Sequence, residues 1–242
     1  MTDSSTPTPS PTPVLEFDDV YAGYNQFRAL FGVSFTIAPA QAVALIGPNG
    51  VGKTTLARVA SGLVEPSAGR VLVDGSDLTG REAHEFAQAG IAHAPEGRSV
   101  FGTLTVEENL LLPFRRQFGR AGQGPALERA YELFPRLGER RGQEAGSLSG
   151  GEQRMLTLAR VLVLEPALLI ADELSLGLAP IVTNEVYEVL QRILANGTAL
   201  LVIEQQVDHA LSVADHVIVL ERGEVISSGP PDQVDAVAES FR

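Results

Sequence analysis

The chain has 242 residues, 44% of them apolar, and a formal net charge of −12. That length suits one large or two small domains with a real core, and the acidity argues against a nucleic-acid surface. Cysteine is absent, which excludes disulfides, a thiol nucleophile and cysteine-held metal.

Residues 1–13, MTDSSTPTPSPTP, alternate proline with serine and threonine. Such a stretch can neither pack nor pair, and it reads as a disordered tail. It lacks the basic start and apolar core of a secretion signal. Residues 14–20 (VLEFDDV) and 32–38 (GVSFTIA) alternate like half-buried strands. Residues 42–47 (AVALIG) are a continuous apolar run ending in glycine, the pattern of a buried parallel strand. A glycine-rich turn and a helical pattern, KTTLARVASGL, follow. GRVLVDGSDL (69–78) reads as a strand closed by an Asp-Gly turn.

Residues 105–141 change character: Leu, Glu and Arg recur at helical spacing, with a loop expected at 119–124 (GRAGQG). A helical insertion over about 98–160 is expected. ALLIADE (167–173) is a second buried strand, ending in two acids. A helix near 181–195, a strand at 199–204, a helix at 207–213, a strand at 216–221 and a return strand, RGEVIS, complete the order. Strands alternating with helices predict a mostly parallel α/β sheet. No apolar run approaches the roughly 18 residues that a membrane span needs.

Lys53 is the only lysine among eighteen Lys and Arg residues. It closes Gly47-x4-Gly52-Lys53-Thr54, a phosphate-loop pattern placed between a buried strand and a helix. Glycines let backbone N–H groups turn inward around phosphate oxygens, and the helix N-terminus adds positive dipole. A compact ammonium can reach along such a loop, where a wide planar guanidinium cannot. Gly47, Pro48, Asn49, Gly50, Val51, Gly52, Lys53, Thr54 and Thr55 are therefore the phosphate-binding candidates for ATP. Asp172, at the tip of its strand, is the candidate Mg²⁺ ligand beside Thr54. Glu173 is the candidate general base for water. Ser149, Gly150, Gly151 and Glu152, in LSGGEQ (148–153), form a second helix opening with a hydroxyl and free N–H groups.

That hexapeptide, with the phosphate loop and the acidic strand end in this order, resembles the ABC ATPases over residues 14–242. The resemblance implies a P-loop NTPase core with a mostly parallel sheet, an antiparallel β edge subdomain and a helical subdomain. It also implies a head-to-tail dimer, each ATP lying between one subunit's phosphate loop and the other's signature. Tyr24 matches the aromatic that stacks on adenine, with Tyr21 as the alternative.

PEGR (95–98), TVEENL (105–110), YELFPRL (131–137) and SLGLAP (175–180) look like the smaller ATPase of branched-chain amino-acid importers. Urea and short-amide importers are close relatives of these. The implied partners are a second ABC ATPase, identical or different, two permease subunits and, indirectly, a solute-binding protein. The implied place is the cytoplasmic face of the plasma membrane, as a peripheral subunit. A non-transport ABC ATPase and a low-turnover regulatory module are the other classes. The chain departs from the general family pattern in four places. Glu96, expected near Mg²⁺, replaces a glutamine, Gln205 replaces the switch histidine, Ala179 an aspartate and Leu174 a proline. His209, one helical turn past Gln205, is not expected to substitute for that histidine. Arginines 115, 116, 120, 136, 140 and 141 cluster in the helical insertion. A solvated face is the plainer account of them, and contact with the permease or its lipid headgroups the functional one.

Overall fold

The computed structural model describes residues 11–97 and 99–238. Most of the expected tail, and Arg98 of the PEGR stretch, lie outside the described residues. In chain order the strands are β1 (Leu15–Tyr24), β2 (Phe27–Ile37), β3 (Ala42–Ile46), β4 (Ala68–Val73), β5 (Ser76–Asp77), β6 (Ile91–Ala94), β7 (Leu168–Asp172), β8 (Ala199–Ile203), β9 (His216–Glu221) and β10 (Glu224–Gly229). The helices are α1 (Lys53–Ala60), α2 (Ala83–Gln88), α3 (Val106–Leu133), α4 (Pro135–Glu139), α5 (Gly150–Leu162), α6 (Pro180–Ala195), α7 (Val207–Leu211) and α8 (Pro231–Ala238).

Two sheets result. One, in the order β10-β9-β3-β8-β7-β6, is parallel except for the β9–β10 hairpin. The other, β2-β1-β4-β5, is antiparallel. The apolar runs of β3, β7 and β8 are buried at every position. Alternate residues face opposite layers. Leu169, Ala171, Leu200 and Val202 pack with α3, α5 and α6, while Leu168, Ile170, Leu201 and Ile203 pack with α1 and the antiparallel sheet. A run buried on both faces shows no alternation, as a central parallel strand requires.

β1 is longer than its sequence alternation because its pairing slips after Phe17 and again after Val20, with Asp19 at φ 51. A bulge adds a residue and breaks the period of two. The loop expected at 119–124 contracts to one residue. Gly119, at φ 65 and ψ −172, is the single non-helical point between two helical halves of α3. A positive φ costs glycine little, so one residue can turn the chain. The helix expected at 207–213 ends at Leu211. β6 and α2 had no expectation, being too short to show a period.

Helix α3 opens on a capping box between Thr105 and Glu108, which satisfies two otherwise orphaned N–H groups. Asn109, fully buried in its first turn, bonds to both backbone groups of Phe101 and to the Leu104 carbonyl. This clasp pins the strand-to-helix connection. Helix α6, by contrast, starts at Ala179 with no side-chain cap, and Ala179 is exposed with extended backbone. An Asp side chain there can accept from the first-turn N–H groups. Ala179→Asp should therefore stabilise the chain by about 1 kcal/mol, raising the thermal midpoint by about 2–4 °C in calorimetry.

Candidate functional site

Register places the site. Leu45 of β3 and Asp172 of β7 both align with Ile203 of β8. The residues just past these positions thus share the carboxyl edge of three adjacent parallel strands, where α/β sheets bind ligands. They are the loop from Gly47, the Asp172–Glu173 pair and the segment Glu204–Gln205.

The loop needs its glycines. Gly47 has φ 153, and a Cβ there would lie 2.1 Å from the Leu220 carbonyl oxygen. Gly52 has φ 113, and its Cβ would lie 2.6 Å from the Ala29 oxygen. Helix α1 then begins at Gly52 with no side-chain cap and no acid in its first turn. Its leading N–H groups and dipole are open to an anion. Thr54 and Thr55 stand in that first turn. Lys53 is 5% exposed and donates to the Gly47 and Pro48 carbonyls at 2.7 and 2.9 Å. Burial lowers its pKa, against the raising pull of Glu173, Asp172 and Glu204. Neutral carbonyls are weaker acceptors than phosphate oxygens, so the ammonium can be re-aimed.

Asp172 is 1% exposed, and neither carboxylate oxygen has a protein hydrogen-bond partner. Burial, then the charges of Glu173 and Glu96, push its carboxyl up to about 6, against Lys53 and Arg58. Two orphaned oxygens of one buried acid are what a divalent cation would satisfy. Among the described residues no cluster of three or more His, Asp or Glu could hold a metal by itself. That suits Mg²⁺, which takes one or two protein oxygens and completes its shell with water and phosphate. The residues present fit the ion. Glu96, at the rim, is exposed and lines a small cleft with Gly150 and Arg154.

Glu173 is 7% exposed and adopts φ 49, a left-handed conformation uncommon outside glycine. Its Oε1 accepts from Gln205 Nε2 at 2.8 Å, and Gln205 Oε1 accepts from Asn49 Nδ2 at 3.4 Å. Gln205 therefore links the phosphate loop to the acid, and its amide keeps a second N–H. His209 instead packs against the Tyr187 ring, centroids 5.4 Å apart. Tyr24 is 40% exposed at the end of β1, and its hydroxyl accepts from Arg58 at 3.0 Å. Tyr21 is less exposed, with the Arg28 guanidinium 5.5 Å from its ring centroid.

The second helix opening differs from the first. Ser149 donates to Glu152 Oε2 from its N–H at 2.9 Å and its hydroxyl at 2.7 Å, and its Oγ accepts from the Glu152 N–H. Arg140 donates to Glu152 Oε1 at 2.6 Å. Burial pushes the Glu152 carboxyl up, but the Ser149 bonds and the Arg140 charge outweigh it and hold the acid below its usual range. Gly150 and Gly151 keep their N–H groups, and a Cβ at Gly151 would lie 2.8 Å from Val182. Of the arginine cluster, Arg136 and Arg140 pair with Glu185 and Glu152, and 115, 116, 120 and 141 are exposed.

Two site residues have no counterpart among the sequence candidates. Arg154, 6% exposed, donates to the carbonyls of Pro95, Gly97 and Glu173. Glu204 ends an apolar strand run as Asp172 does, and that parallel was the available signal.

The ABC transporter family model matches residues 30–175, which hold the phosphate loop, the signature and the acid pair together. The chain belongs to the ABC transporter family. It is 40% identical over 215 residues to the high-affinity branched-chain amino acid transport ATP-binding protein BraG of Pseudomonas aeruginosa, covering 88% of this chain and 91% of that one. It is 35% identical over 227 residues to the Nod factor export ATP-binding protein I of Paraburkholderia xenovorans, covering 93% and 74%. The structure of the ADP conformation of the ABC transporter cassette MJ1267 superposes with a TM-score of 0.81 at 26% identity, covering 94% and 95%. The chain is an ATP-binding subunit that hydrolyses ATP to power transport.

The raised Asp172 carboxyl carries a signed prediction. Its folded pKa, about 6, exceeds the usual value of 3.8. Ionisation therefore opposes folding: stability falls as pH rises from about 4 through 6, by about 3 kcal/mol in all. Asp172→Asn should be more stable than wild type at pH 8 in chelator and gain nothing at pH 4. Urea denaturation at the two pH values checks this. Equal differences at both would contradict it.

Proposed function

We propose that this chain energises an importer of branched-chain amino acids. The observation that carries the solute class is the 40% identity to BraG across nearly the whole of both chains. ATP is held with Tyr24 stacked on adenine and the 47–55 loop around the phosphates. Lys53 leaves the Gly47 and Pro48 carbonyls for the β- and γ-phosphate oxygens. Thr54 and Asp172 would hold Mg²⁺, with Glu96 close by, and a bound ion would supply positive charge to offset that of the phosphate oxygens. Glu173 takes the proton of the attacking water. Its Oε1 is engaged by Gln205, which leaves Oε2 as the acceptor. Gln205 keeps Glu173 turned to the nucleotide and aims its second N–H at the γ-phosphate.

The partner ATPase supplies the other half of each site. Gly150, Gly151 and Ser149 of this chain meet the partner's nucleotide, and Glu152 orders that turn through its cap. Two permease subunits dock from the membrane side. The cleft of about 460 Å³ lined by His93, Phe101, Pro113 and Arg160 suits them. It adjoins the Glu96 loop, and Phe101 on its rim is 51% exposed. The subunit then sits on the cytoplasmic face of the membrane. No helix among the described residues is long and apolar enough to cross it.

Glu173→Gln should retain ATP binding in calorimetry and slow phosphate release at least about a hundredfold. Lys53→Ala should lose binding itself. In the source cells, Lys53→Ala should abolish uptake of labelled leucine, isoleucine and valine. Normal uptake of these with loss of urea uptake, or of an exported product, would move the chain to another branch.

A further inference from the structure

Glu204 is the third carboxylate at this strand edge, and hydrolysis as described does not use it. It is 2% exposed. Its Oε1 accepts from the Ser175 N–H at 3.0 Å and from the Tyr187 hydroxyl at 3.0 Å. Its Oε2 accepts from the Ser175 hydroxyl at 2.8 Å. Ser175 and Tyr187 are each 6% exposed. Burial first, then the Glu204 charge, raises the Tyr187 pKa, so the phenol stays a donor.

The neighbours of Glu204 act on the same loop. The Ile203 carbonyl accepts from the Glu173 N–H at 2.8 Å. The Gln205 amide donates to Glu173 Oε1 at 2.8 Å. Three consecutive residues, 203, 204 and 205, thus grip 173 to 175 at three points. The grip has something to resist. Glu173 sits at φ 49, a conformation that persists only when its surroundings over-determine it. The next residue, Leu174, has no ring to fix its φ. Directly after Ser175 the chain leaves the core for two residues: Leu176 is 50% exposed, and Gly177 is exposed with φ 74.

We infer that Glu204 is a positioning residue for hydrolysis: by clasping Ser175 it locks the turn that sets Glu173 in its left-handed conformation under Gln205. This rests on the assignment of Glu173 as the base. The clasp works through hydrogen-bond geometry and not through charge. A glutamine at 204 can reproduce it, its oxygen accepting from the Ser175 N–H and the Tyr187 hydroxyl while its N–H donates to the Ser175 oxygen.

The test uses the full chain, alone and in its transporter complex, with Glu204→Ala, Glu204→Gln and Ser175→Ala. Glu204→Ala should lower kcat by about ten- to a hundredfold, the cost of a misplaced catalytic group. Its Kd for ATP should stay within about threefold, because the phosphate loop is untouched. Hydrogen exchange of the 173–179 peptide should quicken, while that of β3 does not. Glu204→Gln should restore both kcat and slow exchange. Wild-type kcat in Glu204→Ala would overturn the inference. So would a Glu204→Gln variant as slow as Glu204→Ala, which would assign the effect to charge. A fall in ATP affinity matching that in kcat would show general collapse of the site, and also overturn it. If Glu204→Ala does not fold, Ser175→Ala removes one donor and is judged by the same criteria. Should Glu173→Gln hydrolyse ATP normally, the assignment of the base fails, while the exchange rates still decide whether the clasp exists.

Discussion

One buried ammonium faces three buried carboxylates. Lys53, Asp172, Glu173 and Glu204 are each less than a tenth exposed; the acids stand at the ends of adjacent strands β7 and β8, and Lys53 opens the helix that follows β3 beside them. A lone charge in that setting would be costly, and a pair is tolerated only when compensated. Here the acids outnumber Lys53 and Arg154, and each is managed differently. Glu204 is satisfied by three donors and Glu173 by Gln205. Asp172 has no protein donor, and its carboxyl is pushed up to about 6. The least compensated carboxylate is therefore the one residue with both oxygens open to a cation. The same sheet edge also opens the uncapped N-terminus of α1 to an anion. An arrangement that awaits both signs at once suits a nucleotide with its metal.

The two helix openings divide the work. Helix α1 starts with no cap of its own, so its N–H groups are available. Helix α5 starts with a complete capping box, reinforced by Arg140, so its turn is rigid and only the glycine N–H groups remain. Arg154, one turn into α5, touches the Glu96 loop at Pro95 and Gly97 and the Glu173 carbonyl. A single guanidinium thus ties the signature helix to both loops at this edge of the candidate site. Movement of α5 against the sheet would be felt at each of them.

The departures from the general family pattern find different physical accounts. Gln205 cannot take up charge, but it bridges Asn49 and Glu173, a role that a neutral amide with both donor and acceptor fills well. Leu174 is 1% exposed in the core, and the following residue is held by Glu204. Ala179 leaves a helix start without a side-chain cap, offset only in part by Pro180 at the first helical position, which has no N–H to satisfy.

The sequence by itself determined the phosphate loop, the acid pair and the signature turn, because each is a local pattern of special residues. Glycines at positive φ, a lone lysine, two acids after an apolar run and a serine three residues before a glutamate act within a few residues of one another. It also determined the buried strands, whose length and apolarity leave few alternatives. The bulged half of β1, the single-residue break in α3 and the short strand β6 were decided elsewhere, where neighbouring strands and packing override the local period. Only the tertiary structure decided how the separate pieces meet. That Gln205 reaches both Asn49 and Glu173, that Arg154 joins two loops and that Glu204 clasps Ser175 all follow from the strand order β3-β8-β7-β6. Residues more than a hundred positions apart become neighbours there through crossovers that no local pattern records.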